Sequence, residues 1–272
     1  LWIVNRDGGE AKQLTRMSGE EQFPTFSPDG KQVGFSSDYG DIYVVSAAGG
    51  EPRRLTYHPD SYWYLAIGWL RNGKSVMFSS FPPKYNRLYS VPFEGGLVEE
   101  LPLPLAVWGS FSPDERRIAY CPSWSFPEWK QYRGGRMARI WITDLPDCHI
   151  EKIPRNNSND SMPMWIENQI YFLSDRNGLI TLFAYDVKKK KVIEVIHNPG
   201  TDILWASNGP GAIVYGKFGA IHIYDLNTGK SIQPVIRVSS DMYQRKPRSV
   251  RVLDNLAGVR LSPTGDRVLI EA

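Results

Sequence analysis

The chain has 272 residues, 42 % of them apolar and 12 % aromatic, with 32 Lys and Arg against 29 Asp and Glu. That composition excludes a disordered chain and supplies a substantial core. A net charge of +3 gives no electrostatic reason to expect nucleic acid or an anionic membrane, and no apolar run approaches the roughly 18 residues of a spanning helix.

The chain opens directly on a strand pattern, Leu1-Trp2-Ile3-Val4, with a turn at Asp7-Gly8-Gly9 and a second strand ending at Leu14-Thr15. It has no initiator Met and no signal peptide, and it ends inside another strand at Ile270-Glu271-Ala272, so a fragment of a longer protein is expected. Next comes Phe26-Ser27-Pro28-Asp29-Gly30 followed by Lys31 to Phe35. Pro presets φ for a type I turn, Asp suits the next position and Gly closes it, so strand, tight turn and strand are predicted. The unit recurs at Trp69 to Phe78, Phe111 to Tyr120 and Leu261 to Ile270, and in degenerate form at Trp165 to Phe172 and Ala206 to Tyr215. Its turn-closing positions are Gly30, Gly73, Glu115, Gln169, Gly211 and Gly265, a period in the low forties stretched twice.

After each of these a–b hairpins a c–d hairpin is expected. It begins with an aliphatic then a bulky residue, as in Ile42-Tyr43, Leu88-Tyr89, Ile140-Trp141, Leu182-Phe183 and Ile221-His222. Short strands at this period, with no helical pattern between them, predict an all-β fold: a six-bladed β-propeller of four-stranded antiparallel blades. Five blades are complete from residue 22 to about 236. The sixth can be assembled by pairing the N-terminal c–d hairpin, 1–14, with the C-terminal a–b hairpin, 259–270. Residues 1–272 then read as a single domain.

Two segments break the period: an insert at 121–139 and a basic connection at 237–256 that contains Arg245, Lys246, Arg248 and Arg251. No nucleophile elbow, metalloprotease helix motif or calcium loop is present, and the four histidines fall in different blades. His222 takes a place that Trp, Tyr or Phe holds in sister repeats, so it is expected to pack. Cys121 and Cys148 are expected to be free thiols, and no metal or cofactor is expected. Three features remain as candidates. Arg116-Arg117, just after a turn, can grip a carboxylate with two guanidinium groups. Arg133-Gly134-Gly135-Arg136, with Arg139, can aim two arginines one way. Trp124, Phe126, Trp129 and Tyr132 crowd one loop, and either pack over their own blade or dock on another domain. Each of the three also has a plain reading as a solvated turn or a self-packed loop.

The string Pro127-Glu128-Trp129-Lys130-Gln131-Tyr132-Arg133-Gly134-Gly135-Arg136, followed by Ile140-Trp141-Ile142, resembles the six-bladed propeller of the tricorn protease family. Ile170 to Gly178 is similar too. The resemblance implies a non-catalytic domain of a large homo-oligomeric (hexameric) serine peptidase, which guides peptides to and from a catalytic core lying beyond residue 272. It implies peptides and the other domains and subunits as partners. It also implies an Arg-Arg pair holding the peptide's C-terminal carboxylate, matched by position to Arg116-Arg117. On the same resemblance, residues 259–272 would open a second propeller instead of closing the first. The Ser-Pro-Asp-Gly turns are shared with TolB-type propellers, so a TolB-like protein-interaction propeller without peptidase activity is the alternative. The compartment stays open, with cytoplasm favoured and export allowed.

Overall fold

The computed structural model describes residues 1–37, 40–57, 63–81, 86–123, 131–145, 149–239 and 258–271. The chain divides into two compact units, residues 1–237 and 238–272. The described residues are strands, turns and loops, without a helix.

The opening hairpin is β1 (Trp2–Ile3) and β2 (Gly8–Gln13). The first full blade holds β3 (Glu21–Phe26), β4 (Gln32–Ser37), β5 (Ile42–Ser46) and β6 (Arg53–Arg54). The second holds β7 (Trp63–Trp69), β8 (Ser75–Phe81), β9 (Arg87–Pro92) and β10 (Glu99–Glu100). The third holds β11 (Trp108–Phe111), β12 (Arg117–Cys121), β13 (Trp141–Asp144) and β14 (Ile150–Lys152). The fourth holds β15 (Asp160–Ile166), β16 (Gln169–Ser174), β17 (Thr181–Asp186) and β18 (Lys191–Glu194). The fifth holds β19 (Ile203–Gly209), β20 (Ala212–Lys217), β21 (Ala220–Asp225) and β22 (Lys230–Ile232), and β23 (Val235–Val238) follows it. The second unit carries the hairpin β24 (Gly258–Leu261) and β25 (Val268–Glu271).

The fold is therefore the all-β, six-bladed propeller that the repeat predicts, with five four-stranded antiparallel blades and a sixth sheet. The sixth sheet differs from expectation. Its order is β1-β2-β23, while β24 and β25 form a two-stranded sheet of their own. The chain thus leaves the fifth blade and pairs β23 with β2, where the 259–270 hairpin was expected to pair with 1–14. Gly8 permits this approach. A Cβ there would lie 2.5 Å from the carbonyl oxygen of Val235, and its φ of +95° is open to glycine. An exposed ion pair, Arg6 Nη2 to Asp225 Oδ2 at 2.9 Å, spans from the opening hairpin to the fifth blade.

The turns explain why the repeat survives changes of sequence. In the first blade Gly30 N–H donates to the Ser27 carbonyl (2.8 Å), and the Ser27 hydroxyl donates to Asp29 Oδ1 (2.6 Å). Lys31 N–H also reaches Asp29 Oδ1 (3.0 Å), and Gln32 N–H reaches the Ser27 hydroxyl (2.9 Å). The third blade repeats this with Ser112 and Asp114, although Glu115 occupies the left-handed position at φ 54°. In the fourth blade the left-handed residue is Glu167 (φ 52°). Gln169, expected to close that turn, is the first residue of β16.

Apolar faces pack blade on blade, which is where the core sits. Ile42, Val76 and Phe78 join the first blade to the second, and Leu88, Ile118 and Tyr120 join the second to the third. Ile140, Ile142, Phe172 and Tyr185 join the third to the fourth, and Leu182, Ile203 and Ile213 join the fourth to the fifth. Leu1, Ile3 and Leu14 of the opening hairpin pack on Val33 and Phe35 of the first blade. The seam between the fifth blade and the sixth sheet is different. There Trp205, Val214, Ile221 and Ile232 stay 41–51 % exposed.

Candidate functional site

The innermost strands β3, β7, β11, β15 and β19 converge on one cavity of about 690 Å³. Four of them carry a bulge at the same level. In β3 the register jumps between Gln22 and Thr25, so Phe23-Pro24 stand where one residue would fit; in β15 it jumps between Ser161 and Met164, around Met162-Pro163. Proline cannot donate to the ladder, and a bulge is where a strand tolerates it. Phe23 and Met162 take φ of 52° and 51°, a left-handed conformation that costs a non-glycine residue on the order of 1–3 kcal/mol. The register also shifts between Ala66 and Gly68 in β7 and between Ile203 and Trp205 in β19.

At that level three rings from three different blades meet. Phe23 lies 6.3 Å from Trp108 and 5.9 Å from Trp205 between centroids, and the two tryptophans lie 6.4 Å apart, all tilted or edge-on. Such pairs contribute about 0.5–1.5 kcal/mol each beyond burial. Ala66, Ile67, Met164, Val214 and Ile221 line the rest of the cavity, with Gln22, Ser110, Ser207 and Asn208 as polar members. The lining holds no Asp, Glu, His, Lys or Arg among the described residues. At this level the described lining is mostly apolar, with a few amide and hydroxyl groups. Two bonds tie the inner strands across blades: Trp69 Nε1–H to the Thr25 carbonyl (3.1 Å) and Trp165 N–H to the Ser110 hydroxyl (2.8 Å).

The arginines singled out in the sequence lie elsewhere. Arg117 begins β12, and its guanidinium sits 5.0 Å over the Trp165 ring. Glu151 stands in the same neighbourhood: burial works to raise its carboxyl, but hydrogen bonds from Lys190 and Tyr185, followed by the charges of Lys190 and Arg117, bring it below its usual range. Tyr185 donates to Glu151 Oε1 at 2.7 Å, and burial followed by that bond pushes its phenol up. Arg117 is thus held in the seam between the third and fourth blades. Arg116 is exposed, and its N–H donates to Asp114 Oδ1 at 3.2 Å. Neither residue lines the hub cavity.

The end of the insert docks on the fourth blade. Arg133 Nη1 donates to Asp175 Oδ2 (2.7 Å) and to the Tyr132 carbonyl (3.0 Å), and Asn159 Nδ2 reaches the same two acceptors. Gly134 lies under the Tyr132 ring, where a Cβ would be 2.1 Å from the phenol oxygen. Arg136 is exposed. Next to this contact Arg176 donates twice to Asp160, at 3.1 and 3.0 Å, and the Ser158 and Ser174 hydroxyls complete that carboxylate, which is fully buried. Burial, then the charge of Arg139, lowers Arg155 beside them. Arg133 is therefore engaged within the domain, by Asp175 and the Tyr132 carbonyl. Trp124, Phe126, Trp129, Cys148 and the basic residues of 240–257 lie outside the described residues. Cys121 is a buried free thiol, raised by burial. His222 stacks on Tyr215 (5.1 Å between centroids, 12° between planes), packed as expected.

The sequence reading missed the hub residues. The signal for them was an X-Pro pair inside an innermost strand, present as Phe23-Pro24 and Met162-Pro163.

The family model described as the tricorn protease N-terminal β-propeller domain matches residues 1–230. A tricorn protease homolog of Saccharolobus solfataricus is 27 % identical over 266 residues, covering 93 % of this chain and 24 % of that protein. The crystal structure of the tricorn protease superposes with a TM-score of 0.74 at 22 % identity, covering 85 % of this chain and 24 % of that one. A putative TolB from Agrobacterium tumefaciens superposes with a TM-score of 0.65 at 18 % identity, covering 82 % of this chain and 83 % of that one. The chain spans about a quarter of the length of the curated tricorn relatives it matches.

Proposed function

Because the chain belongs to the tricorn protease N-terminal β-propeller family, we propose that it is a non-catalytic domain of a tricorn-like serine peptidase, gating and guiding peptides on their way to or from a separate catalytic core. The observation that carries this reading is the hub. Five inner strands deliver apolar rings and amide or hydroxyl groups to one cavity, a lining suited to contact with a passing chain. The partners are peptides and the remaining domains and subunits of a homo-oligomeric parent. In this reading Arg116 supplies the accessible charge for a peptide carboxylate, while the Arg117 guanidinium stays over the Trp165 ring.

The test compares the whole gene product with this chain alone on fluorogenic peptides. Cleavage by the whole protein and none by the domain is the expected result. Replacing Arg116 with Ala in the whole protein should raise KM for short peptides with free C-termini, leaving kcat unchanged. A whole protein that cleaves no peptide would favour a TolB-like interaction propeller, a reading encouraged by the fold likeness across most of a TolB chain.

A further inference from the structure

The outer strands of the first four blades share one register. Tyr43 pairs with Arg54, Tyr89 with Glu100, Trp141 with Lys152 and Phe183 with Glu194. Two residues before each aromatic stand Asp41, Arg87, Arg139 and Thr181, each the diagonal neighbour of the outermost-strand residue. In the first blade the two places form the ion pair Asp41–Arg54, and in the second Arg87–Glu100 at 3.5 Å. The fourth blade sets a hydroxyl residue, Thr181, against Glu194. In the third blade both places, Arg139 and Lys152, hold a cation.

The surroundings add to that excess. Arg139 is half-buried, and among the described residues no carboxylate pairs with it. Lys152 is exposed, with its Nζ 5.7 Å over the Trp141 ring. Arg155 Nη1 donates to two neutral acceptors, the carbonyls of Ala138 (3.1 Å) and Ser158. Its guanidinium is disfavoured first by burial and then by the charge of Arg139. The carboxylates nearby are already engaged: Asp160 by Arg176 and two serine hydroxyls, Asp175 by Arg133 and Asn159. Like charges gathered this way repel, and an anion placed among them would be held strongly. The sister blades show which anion fits the register, since Asp41 and Glu100 each bring a side-chain carboxylate to it. A planar carboxylate also suits the guanidinium fork.

We propose that Arg139, with Lys152 and Arg155 beside it, is a docking site for the carboxylate of an Asp or Glu side chain presented by another polypeptide at the outer edge of the third blade. The site does not depend on the peptide-passage reading. Arg117 pairs with Asp144 at the far end of β13, whereas Arg139 stands just before its first residue, Trp141.

The test uses this chain at low salt and two dye-labelled pentapeptides capped at both ends, identical except for Glu or Gln at the centre. Fluorescence anisotropy should show the Glu peptide binding at least fivefold more tightly. Arg139→Gln should abolish that preference and Lys152→Gln should reduce it. Arg139→Asp, which copies the first blade by supplying a carboxylate from within, should abolish binding of the Glu peptide and raise the melting temperature. Equal affinities, a preference retained in Arg139→Gln, or a lower melting temperature in Arg139→Asp overturn the proposal. A preference that emerges only in Glu128→Gln or Asp147→Asn also overturns it, and assigns the seat to a carboxylate of the chain itself. Inorganic phosphate displacing the Glu peptide at lower concentration than acetate would overturn the choice of carboxylate. Binding of uncapped peptides alone, lost in Arg116→Ala, overturns this site while supporting carboxylate capture at Arg116; a Glu preference that survives Arg116→Ala supports this site whatever becomes of that reading.

Discussion

The seam between the third and fourth blades and the seam between the fifth blade and the sixth sheet are built from the same repeat and end differently. At the first, Ile140, Ile142, Phe172 and Tyr185 are at most 2 % exposed, and the Asp160–Arg176 group is sealed beside them. At the second, Trp205, Val214, Ile221 and Ile232 remain part-exposed, and an exposed pair, Arg6–Asp225, links the opening hairpin to the fifth blade. The difference teaches that a blade's apolar face is structural only when a neighbour's inner strands cover it. The sixth sheet, β1-β2-β23, has three strands where the other blades have four. The same repeat chemistry is fully buried at one seam and part-exposed at the other among the described residues.

The largest expected effect is at the closed seam. Asp160→Ala leaves the Arg176 guanidinium without its carboxylate, and urea unfolding should show a loss of about 3–5 kcal/mol. Phe172→Ala, in the same seam, should cost about 3–5 kcal/mol. Trp205→Ser, by contrast, should cost only about 1–2 kcal/mol, since much of that ring is already in water. Equal losses for Phe172 and Trp205 would erase the distinction between the seams. Arg6→Ala should change stability by less than about 1 kcal/mol, as expected of an exposed pair. A larger loss would mean that the ring depends on that link.

The turns give the smallest effects. Glu167→Gly should raise stability by about 1 kcal/mol, because the left-handed position disfavours a side chain. Asp29 and Asp114 are held below their ordinary value of 3.8, first by the Ser27 and Ser112 hydroxyls and then by backbone N–H groups. A carboxyl lowered on folding stabilises the protein fully above its unfolded value. That contribution fades as pH falls below about 4 through the folded value. Ser27→Ala combined with Ser112→Ala should therefore flatten the acid limb of the stability curve; an unchanged limb would place the acid sensitivity in other carboxylates.

The architecture was legible because its signals are local. Ser-Pro-Asp-Gly specifies a turn within four residues, and its recurrence counts the blades. The pairing of β23 with β2 was not legible, because Val235–Val238 abuts a basic connection and its neighbour Gly8 lies at the other end of the chain. The site was legible in the wrong currency. Paired arginines announce charge, yet whether Arg117 reaches a ligand depends on Trp165, and whether Arg133 does depends on Asp175. The hub rings announce nothing singly. Phe23 faces the axis because a bulge around Pro24 turns it there, and only the convergence of five blades makes a site of it.

The most direct measurement of the central claim is hydrogen exchange on this chain with and without a pentapeptide capped at both ends and carrying Phe at its centre. The account predicts added protection along Trp205–Asn208 and Val214–Gly216, which line the hub cavity, with β16 and β17 unchanged. Protection confined to the Arg116–Arg117 turn or to residues 131–136, with none at the hub, would contradict it.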